Sequence, residues 1–170
     1  MIKWMLRFLL VVFVLLGAAF VGVAIIGANL PQKHIVTRRV LLNQPPDVVW
    51  KLITDPPDWR PEIRSFKELA LRKGHRLWQE TDQHGQTIRY EEVEAMPNRR
   101  LVTRIADPKL PFGGTWTYEI EPTAQGTALT ITENGDVYNP FFRFVSKYVI
   151  GHTATLDAYT QALKAKFAER

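Results

Sequence analysis

The sequence predicts an α+β fold in which a curved antiparallel sheet wraps around a long C-terminal helix, with a membrane-spanning helix before it. First, 23 consecutive residues from Phe8 to Leu30 carry no charge. Second, residues 34–138 contain short segments of alternating apolar and polar residues, separated by turn residues. Third, residues 139–170 place apolar side chains every three or four positions, which is the spacing of one helix face.

The N-terminal apolar segment is long enough to cross a bilayer as a helix, because its 23 residues span about 35 Å at 1.5 Å per residue. Lys3 and Arg7 precede it and Lys33 follows it. A cleaved signal peptide is the alternative, but the apolar core of such a peptide is usually only about 7 to 15 residues long. We therefore expect residues 1–30 to form an uncleaved transmembrane anchor and residues 31–170 to form one domain.

The charges beside this segment do not decide its orientation by count, since basic residues flank it on both sides. A short basic tail before a first apolar segment favours an N-terminus in the cytoplasm. We expect a single-pass membrane protein whose domain lies outside the cytoplasm, which is the periplasm in a Gram-negative bacterium.

Composition excludes several classes of function. The net charge of +5 is dispersed along the chain, which argues against nucleic acid as a partner. The absence of cysteine excludes disulfides, zinc thiolates and thiol nucleophiles. The histidines lack the spacing of a metal site, and the chain has no Gly-rich phosphate loop. We expect neither a metal nor another cofactor, and the sequence leaves the oligomeric state undetermined.

The segment His34 to Leu42 predicts the first strand, because it is rich in β-branched residues and ends before a pair of prolines. Pro46 and the apolar face that follows predict a short helix, and residues 58–63 suit a second one. Six further strands are expected at residues 65–71, 76–81, 86–95, 99–106, 115–121 and 127–133. The links between these strands are too short for crossover helices, so the sheet should be an antiparallel meander.

A single helix is predicted from Asn139 to Arg170. Asn139 can cap it with a side-chain oxygen, and Pro140 suits the first helical position. Its apolar stripe consists of Phe142, Val145, Val149, His152, Leu156, Tyr159, Leu163 and Phe167. A strongly curved sheet with one helix across it tends to leave an interior space where a ligand can bind.

The order of these elements and several sequence segments resemble a known group of proteins. The segments are Pro45 to Pro56, Trp59-Arg60-Pro61, Pro97 to Leu101, Gly114 to Tyr118 and Thr130 to Gly135. They are similar to the START-like or Bet v 1-like (SRPBCC) superfamily, and within it to the bacterial polyketide cyclase/dehydrase and lipid-transport group. The resemblance covers residues 34–168 and implies a helix-grip fold. It also implies one of several functions, namely binding of lipids, sterols, polyketides or hormones, catalysis of cyclisation or dehydration, or binding of proteins.

Large apolar side chains should line the space between the sheet and the C-terminal helix. The predicted lining consists of Trp59, Trp78, Tyr90, Trp116, Tyr118, Ile131, Phe142, Val145, Tyr148 and Val149. Core packing is the alternative explanation for each of these residues.

Glu133 and His152 are the candidate acid and base groups. His152 lies on the apolar stripe, although a hydrogen-bonded core histidine is the commoner case. Glu80, Glu92, Glu94 and Glu133 each share a strand face with large apolar residues. If that face points inward, burial would raise the pKa of these carboxyls, as general acid or base catalysis requires. A register slip or bulge would send them to solvent, and we favour this alternative except at Glu133.

The favoured hypothesis is a membrane-anchored domain that binds a hydrophobic small molecule, a lipid or lipid-like metabolite, between its sheet and its C-terminal helix. Two other hypotheses remain open. One is an enzyme of the cyclase or dehydratase type that uses Glu133 or His152, and the other is a protein-interaction module with a collapsed interior.

Overall fold

The computed structural model describes residues 2–72 and 74–168, and it has the predicted α+β helix-grip architecture. The N-terminal helix is α1 (Ile2–Ala28). The strands are β1 (Lys33–Leu42), β2 (Ile63–Arg72), β3 (His75–Asp82), β4 (Thr87–Met96), β5 (Arg100–Ile105), β6 (Phe112–Thr123) and β7 (Gly126–Val137). The other helices are α2 (Pro46–Thr54), α3 (Pro140–Val145) and α4 (Ala154–Ala168), with a π-helical turn (Ser146–Ile150) after α3.

The seven strands form one antiparallel sheet in the order β1-β7-β6-β5-β4-β3-β2. Strands β2 to β7 make the predicted meander, and β1 returns to pair with β7 along its whole length, from Lys33 opposite Asp136 to Leu42 opposite Thr127. The curved sheet therefore presents one continuous concave face to the C-terminal helices.

Helix α4 covers one end of this concave face and closes it. Leu156 and Leu163 of α4 are fully buried, as are Leu129 and Ile131 of β7. Burial of each such side chain stabilises the fold by about 1.5 to 3 kcal/mol. Arg38 of β1 also holds α4 in place, because its guanidinium donates to both carboxylate oxygens of Asp157 at 2.6 and 3.2 Å.

Three expected features before and within the sheet are different in the structure. Residues 58–62 contain turns rather than a second short helix, and Ile63 already begins β2, because Pro57 and Pro61 interrupt helical hydrogen bonding. Strand β6 begins at Phe112, and β7 continues past Gly135 to Val137. Both strands are thus longer than predicted, and their extra residues form part of the cavity wall described below.

The prediction of one continuous C-terminal helix is wrong within the described residues, and its last two residues lie outside them. The Asn139 cap is confirmed, since its side-chain oxygen accepts from the backbone N–H groups of Phe141 and Phe142. The helix then widens into the π-helical turn and stops at Gly151, whose φ of +86° is a conformation that favours glycine. This break separates the predicted stripe into α3 and α4.

Helix α1 lies outside the sheet and packs on α3. It is long enough and apolar enough over Lys3–Ala28 to cross a membrane, and its most apolar 18 residues are not buried inside the described part of the protein. Among its exposed large side chains are Trp4, Phe8, Phe13 and Phe20.

Candidate functional site

A cavity of about 660 Å³ lies between the concave face of the sheet and the C-terminal helical segment. Its floor comes from the central strands β3 to β7, one wall from α2 and the turns after it, and the other wall from α3, the π-helical turn and the start of α4. A volume of this size is within the range of about 300 to 1,000 Å³ that is usual for small-molecule sites.

Seven of the ten predicted lining residues border the cavity, namely Trp59, Trp78, Tyr90, Trp116, Tyr118, Phe142 and Val145. The other three lie elsewhere. Ile131 is fully buried in the core. Tyr148 and Val149 are 57% and 71% exposed, because the π-helical turn changes the direction in which its residues point. The lining is strongly aromatic, with Trp78 stacked on Tyr90 at 5.6 Å between ring centroids.

A buried cation lies in one wall of the cavity. The Arg60 guanidinium donates to Glu62 at 2.8 Å and contacts Glu80 at 3.1 Å, and it lies 5.4 Å from the ring centroid of Tyr159. Burial alone would lower the pKa of Arg60, but Glu80, Tyr159 and Glu62 raise it well above its ordinary value. Trp78 also donates to Glu80 at 3.1 Å, so both oxygens of this carboxylate have a partner. Glu80 thereby holds the Arg60 and Trp78 side chains in the cavity wall.

Three of the four strand glutamates point into the cavity. Glu80, Glu92 and Glu133 line the cavity, so the favoured register slip does not occur at Glu80 or Glu92. Strand β4 does contain a bulge between Glu92 and Glu94. The extra residue turns Glu94 to the outer face, where it accepts from Arg100 at 3.3 Å.

Glu133 is the cavity carboxyl group that combines burial with an unsatisfied oxygen. Its Oε2 atom is buried and has no hydrogen-bond partner among the described residues, and its Oε1 atom lies 3.7 Å from Nε2 of His34. Burial raises the pKa of Glu133 above its ordinary value, although the neighbouring Trp116 side chain opposes part of this shift. The protonated carboxyl can therefore donate to a ligand hydroxyl or carbonyl group, and the ionised carboxylate can accept from a ligand hydroxyl group.

His34 and His152 stack on each other beside Glu133, with ring centroids 4.3 Å apart. Burial lowers the pKa of His34, and the neighbouring His152 lowers it further. Burial, followed by the Lys147 ammonium, lowers the pKa of His152. Both rings are thus mainly neutral at pH 7, so the contact between His34 and Glu133 is not an ion pair there. Ser146 is within hydrogen-bond distance of Nδ1 of His152, at 3.1 Å.

His34 and Arg60 also line the cavity, although neither is among the site residues predicted from the sequence. The position of His34 is predictable from β1, because His34, Val36 and Val40 are separated by even numbers of residues and therefore lie on the same face of the strand. Gly135 lies opposite His34, and a Cβ atom at that position would collide with the imidazole. Arg60 had no such signal, because it lies in an irregular turn outside any periodic element.

Comparison with known families identifies the domain. The family model for polyketide cyclase / dehydrase and lipid transport matches residues 33–168, which is nearly all of the chain after α1. The chain belongs to this family. None of the curated proteins matches the sequence.

Solved structures with the same fold share little sequence with this family member. A START superfamily protein from Mycobacterium smegmatis is 18% identical with a TM-score of 0.63, and the match covers 80% of this chain and 98% of that one. The di-domain ARO/CYC StfQ from the steffimycin biosynthetic pathway is 17% identical with a TM-score of 0.63, over 82% of this chain and 52% of its own. A Mesorhizobium loti protein is 18% identical with a TM-score of 0.56, over 78% and 98%. These likenesses confirm the START-like fold.

Proposed function

We propose that this family member is a membrane-anchored domain that binds a hydrophobic small molecule, a lipid or lipid-like metabolite, in the cavity between its sheet and its C-terminal helical segment. The observation that carries the proposal is the cavity of about 660 Å³ with its aromatic lining. An apolar molecule that enters it from water gains about 25 cal/mol for each Å² of apolar surface that it buries. The description of the family, which includes lipid transport, supports the same class of ligand.

The polar groups of the cavity suggest what part of such a ligand is bound where. The ion pair of Arg60 and Glu80 lies on the side of the cavity formed by β2 and β3. The unsatisfied Glu133 oxygen and the neutral His34 ring lie on the other side, near β1. A small polar group on a mainly apolar ligand would bind at Glu133, because a buried oxygen without a hydrogen bond costs about 1 to 3 kcal/mol. We infer a ligand with one hydroxyl or carbonyl group rather than a pure hydrocarbon.

Helix α1 supplies the proposed anchor, and the domain would lie on the extracytoplasmic side. The support is the apolar stretch Lys3–Ala28 together with the basic residues Lys3 and Arg7 at its start. Tethering keeps the cavity near the bilayer, where apolar molecules are concentrated, so a modest affinity is sufficient. Protease added to spheroplasts should cleave the domain while a cytoplasmic marker survives. Protection of the domain would contradict the extracytoplasmic position and would place the domain in the cytoplasm.

Native mass spectrometry of the full chain, released from membranes in mild detergent, tests the proposed binding. We expect additional mass that corresponds to one lipid-like molecule per chain, and organic extraction should identify its class. A chain that carries only detergent, even after incubation with total membrane lipids, would contradict the proposal and would favour the protein-interaction module.

A second candidate function is acid–base catalysis of cyclisation or dehydration, and the contact between Glu133 and His34 favours it. A carboxyl with a raised pKa and a neutral imidazole can donate and accept a proton on the same ligand. If the domain only binds its ligand, Glu133→Gln should carry the same molecule as wild type. If it is an enzyme, the same variant should still bind but should accumulate unconverted ligand, which mass spectrometry of the bound molecule distinguishes.

A further inference from the structure

Helix α3 packs along the last turns of α1, at a depth where a membrane-spanning α1 would still be in hydrocarbon. Phe141 of α3 stacks on Phe20 of α1 with ring centroids 5.4 Å apart. Phe20 lies eight residues before the end of α1 at Ala28, or about 12 Å along the helix axis. At Gly27 a Cβ atom would collide with the backbone oxygen of Pro140, so the two helices are in close contact.

The π-helical turn after α3 exposes large apolar side chains next to this helix pair. Tyr148, Val149 and Ile150 are 57%, 71% and 62% exposed. Three consecutive exposed apolar residues are unusual on a surface that faces only water. They follow α3 directly in the chain, and α3 packs on the candidate membrane span.

Basic residues lie where the membrane surface would be. A second, smaller cavity of about 210 Å³ adjoins Leu30 at the end of α1, and Lys33, Arg143 and Lys147 line it. Within residues 2–72 and 74–168, no acidic side chain lines it. Lys and Arg side chains near the end of a membrane span extend to the level of the lipid phosphates, to which their charge is complementary.

We propose that α3 and the π-helical turn lie within the lipid bilayer beside α1, so that this turn separates the ligand cavity from lipid rather than from water. The inference rests on the proposed function, because it requires α1 to be a membrane anchor. The turn separates the cavity from the outer surface, since its residues Ser146 and Ile150 border the cavity while Val149 faces outward. A ligand therefore enters from the membrane by displacement of this single turn.

The absence of cysteine allows the depth of single positions to be measured. The full chain carrying Val149→Cys, labelled with a bimane fluorophore, is reconstituted in vesicles of phosphatidylcholine and phosphatidylglycerol that contain nitroxide-labelled acyl chains. The matched control is Leu71→Cys, because Leu71 is 70% exposed on the opposite edge strand and Val149 is 71% exposed. Phe13→Cys in α1 reports the anchor itself.

The proposal predicts that lipid nitroxides quench the Val149 label several-fold more strongly than the Leu71 label, to nearly the extent of the Phe13 label. Strong quenching at Phe13 with none at Val149 would overturn the membrane position of the turn and leave the anchor intact. Absence of quenching at Phe13 would instead overturn the anchor, and the inference with it.

Transfer of a pyrene-labelled fatty acid from the same vesicles tests the route of entry. Val149→Asp should slow loading of the full chain several-fold, because a charge at that position resists contact with hydrocarbon. Leu71→Asp should leave the rate unchanged. Equal rates in the two variants would show that the ligand does not enter past this turn.

Discussion

At the end of the sheet covered by α4, apolar side chains fill the interior, whereas at the end covered by α3 and the π-helical turn the interior is a cavity. Leu156 and Leu163 are fully buried at the first end. At the second end Phe142 lines the cavity but is still 45% exposed. The same curved sheet therefore serves two purposes, and the break at Gly151 marks the boundary between the part that stabilises the fold and the part available to a ligand.

The largest expected effect is a loss of stability at the closed end. Leu156→Ala should lower the free energy of unfolding by about 2 to 5 kcal/mol, because it leaves a void in close-packed surroundings. Val145→Ala at the open end should cost about 1 kcal/mol or less, because that side chain is only partly buried and borders existing space. Urea unfolding of the full chain in detergent measures both, and equal losses would remove the distinction between the two ends.

The buried ion pair in the cavity wall should have the next largest effect. Arg60→Met leaves Glu80 without its cation, at a cost of about 1 to 3 kcal/mol, since the cavity allows some hydration of the carboxylate. Adding Glu80→Gln to this variant should recover part of the loss, which a double-mutant cycle detects. Arg39→Met is the matched control, because Arg39 pairs with Glu121 in an exposed position and should cost no more than about 1 kcal/mol.

Ligand affinity should change at the cavity and not at the outer face of the turn. Trp116→Ala removes a large lining side chain and should weaken binding of an apolar fluorescent probe by about tenfold, or about 1.4 kcal/mol. Tyr148→Ala should leave probe affinity in detergent unchanged, because Tyr148 faces away from the cavity. Titration of the probe into both variants measures this, and similar affinities would argue that the probe binds elsewhere.

The smallest expected effect is on the pH dependence of stability. The pKa of Glu133 is raised by burial, so its contribution is full below the unfolded value and is lost as pH rises through the raised folded pKa. The pKa of His34 is lowered, so its contribution is lost as pH falls from about 6.5 toward the folded pKa. Relative to wild type, Glu133→Gln should gain stability above about pH 4.5, and His34→Gln should gain it below about pH 6.5.

Unfolding curves measured at several pH values test these two changes separately. The groups around the pair are His152, Trp116 and Asp136, which remain in both variants. Parallel pH profiles for wild type and Glu133→Gln would show that Glu133 is solvated rather than buried in the cavity.

The fold was predictable because its signals are periodic. Alternation along the strands and the turn residues between them predicted all seven strands, and the Asn139 cap predicted the start of the C-terminal helical segment. The break at Gly151 was not predicted, since a glycine inside an apolar stripe has the same spacing whether the helix continues or stops. The predicted stripe places Val149 in the lining for that reason, whereas Tyr148 is predicted there as one of the large aromatic side chains.

The site was less predictable, because it depends on contacts between distant elements. The bulge after Glu92 reverses the direction of Glu94, and a one-residue irregularity cannot be read from alternation alone. His34 and His152 are far apart in sequence and meet only through the packing of β1 against the C-terminal segment. Predictions of individual lining residues therefore follow from the fold only where the backbone is regular.

The most direct test of the central claim is whether a side chain placed in the cavity excludes the copurified molecule. Ile88→Trp adds bulk to a cavity-lining position of β4, and Val93→Trp adds the same ring to a position of that strand that is 41% exposed and outside the lining. Native mass spectrometry of the full chain should detect bound lipid-like mass in wild type and Val93→Trp but not in Ile88→Trp. Equal occupancy in all three proteins would contradict ligand binding in this cavity.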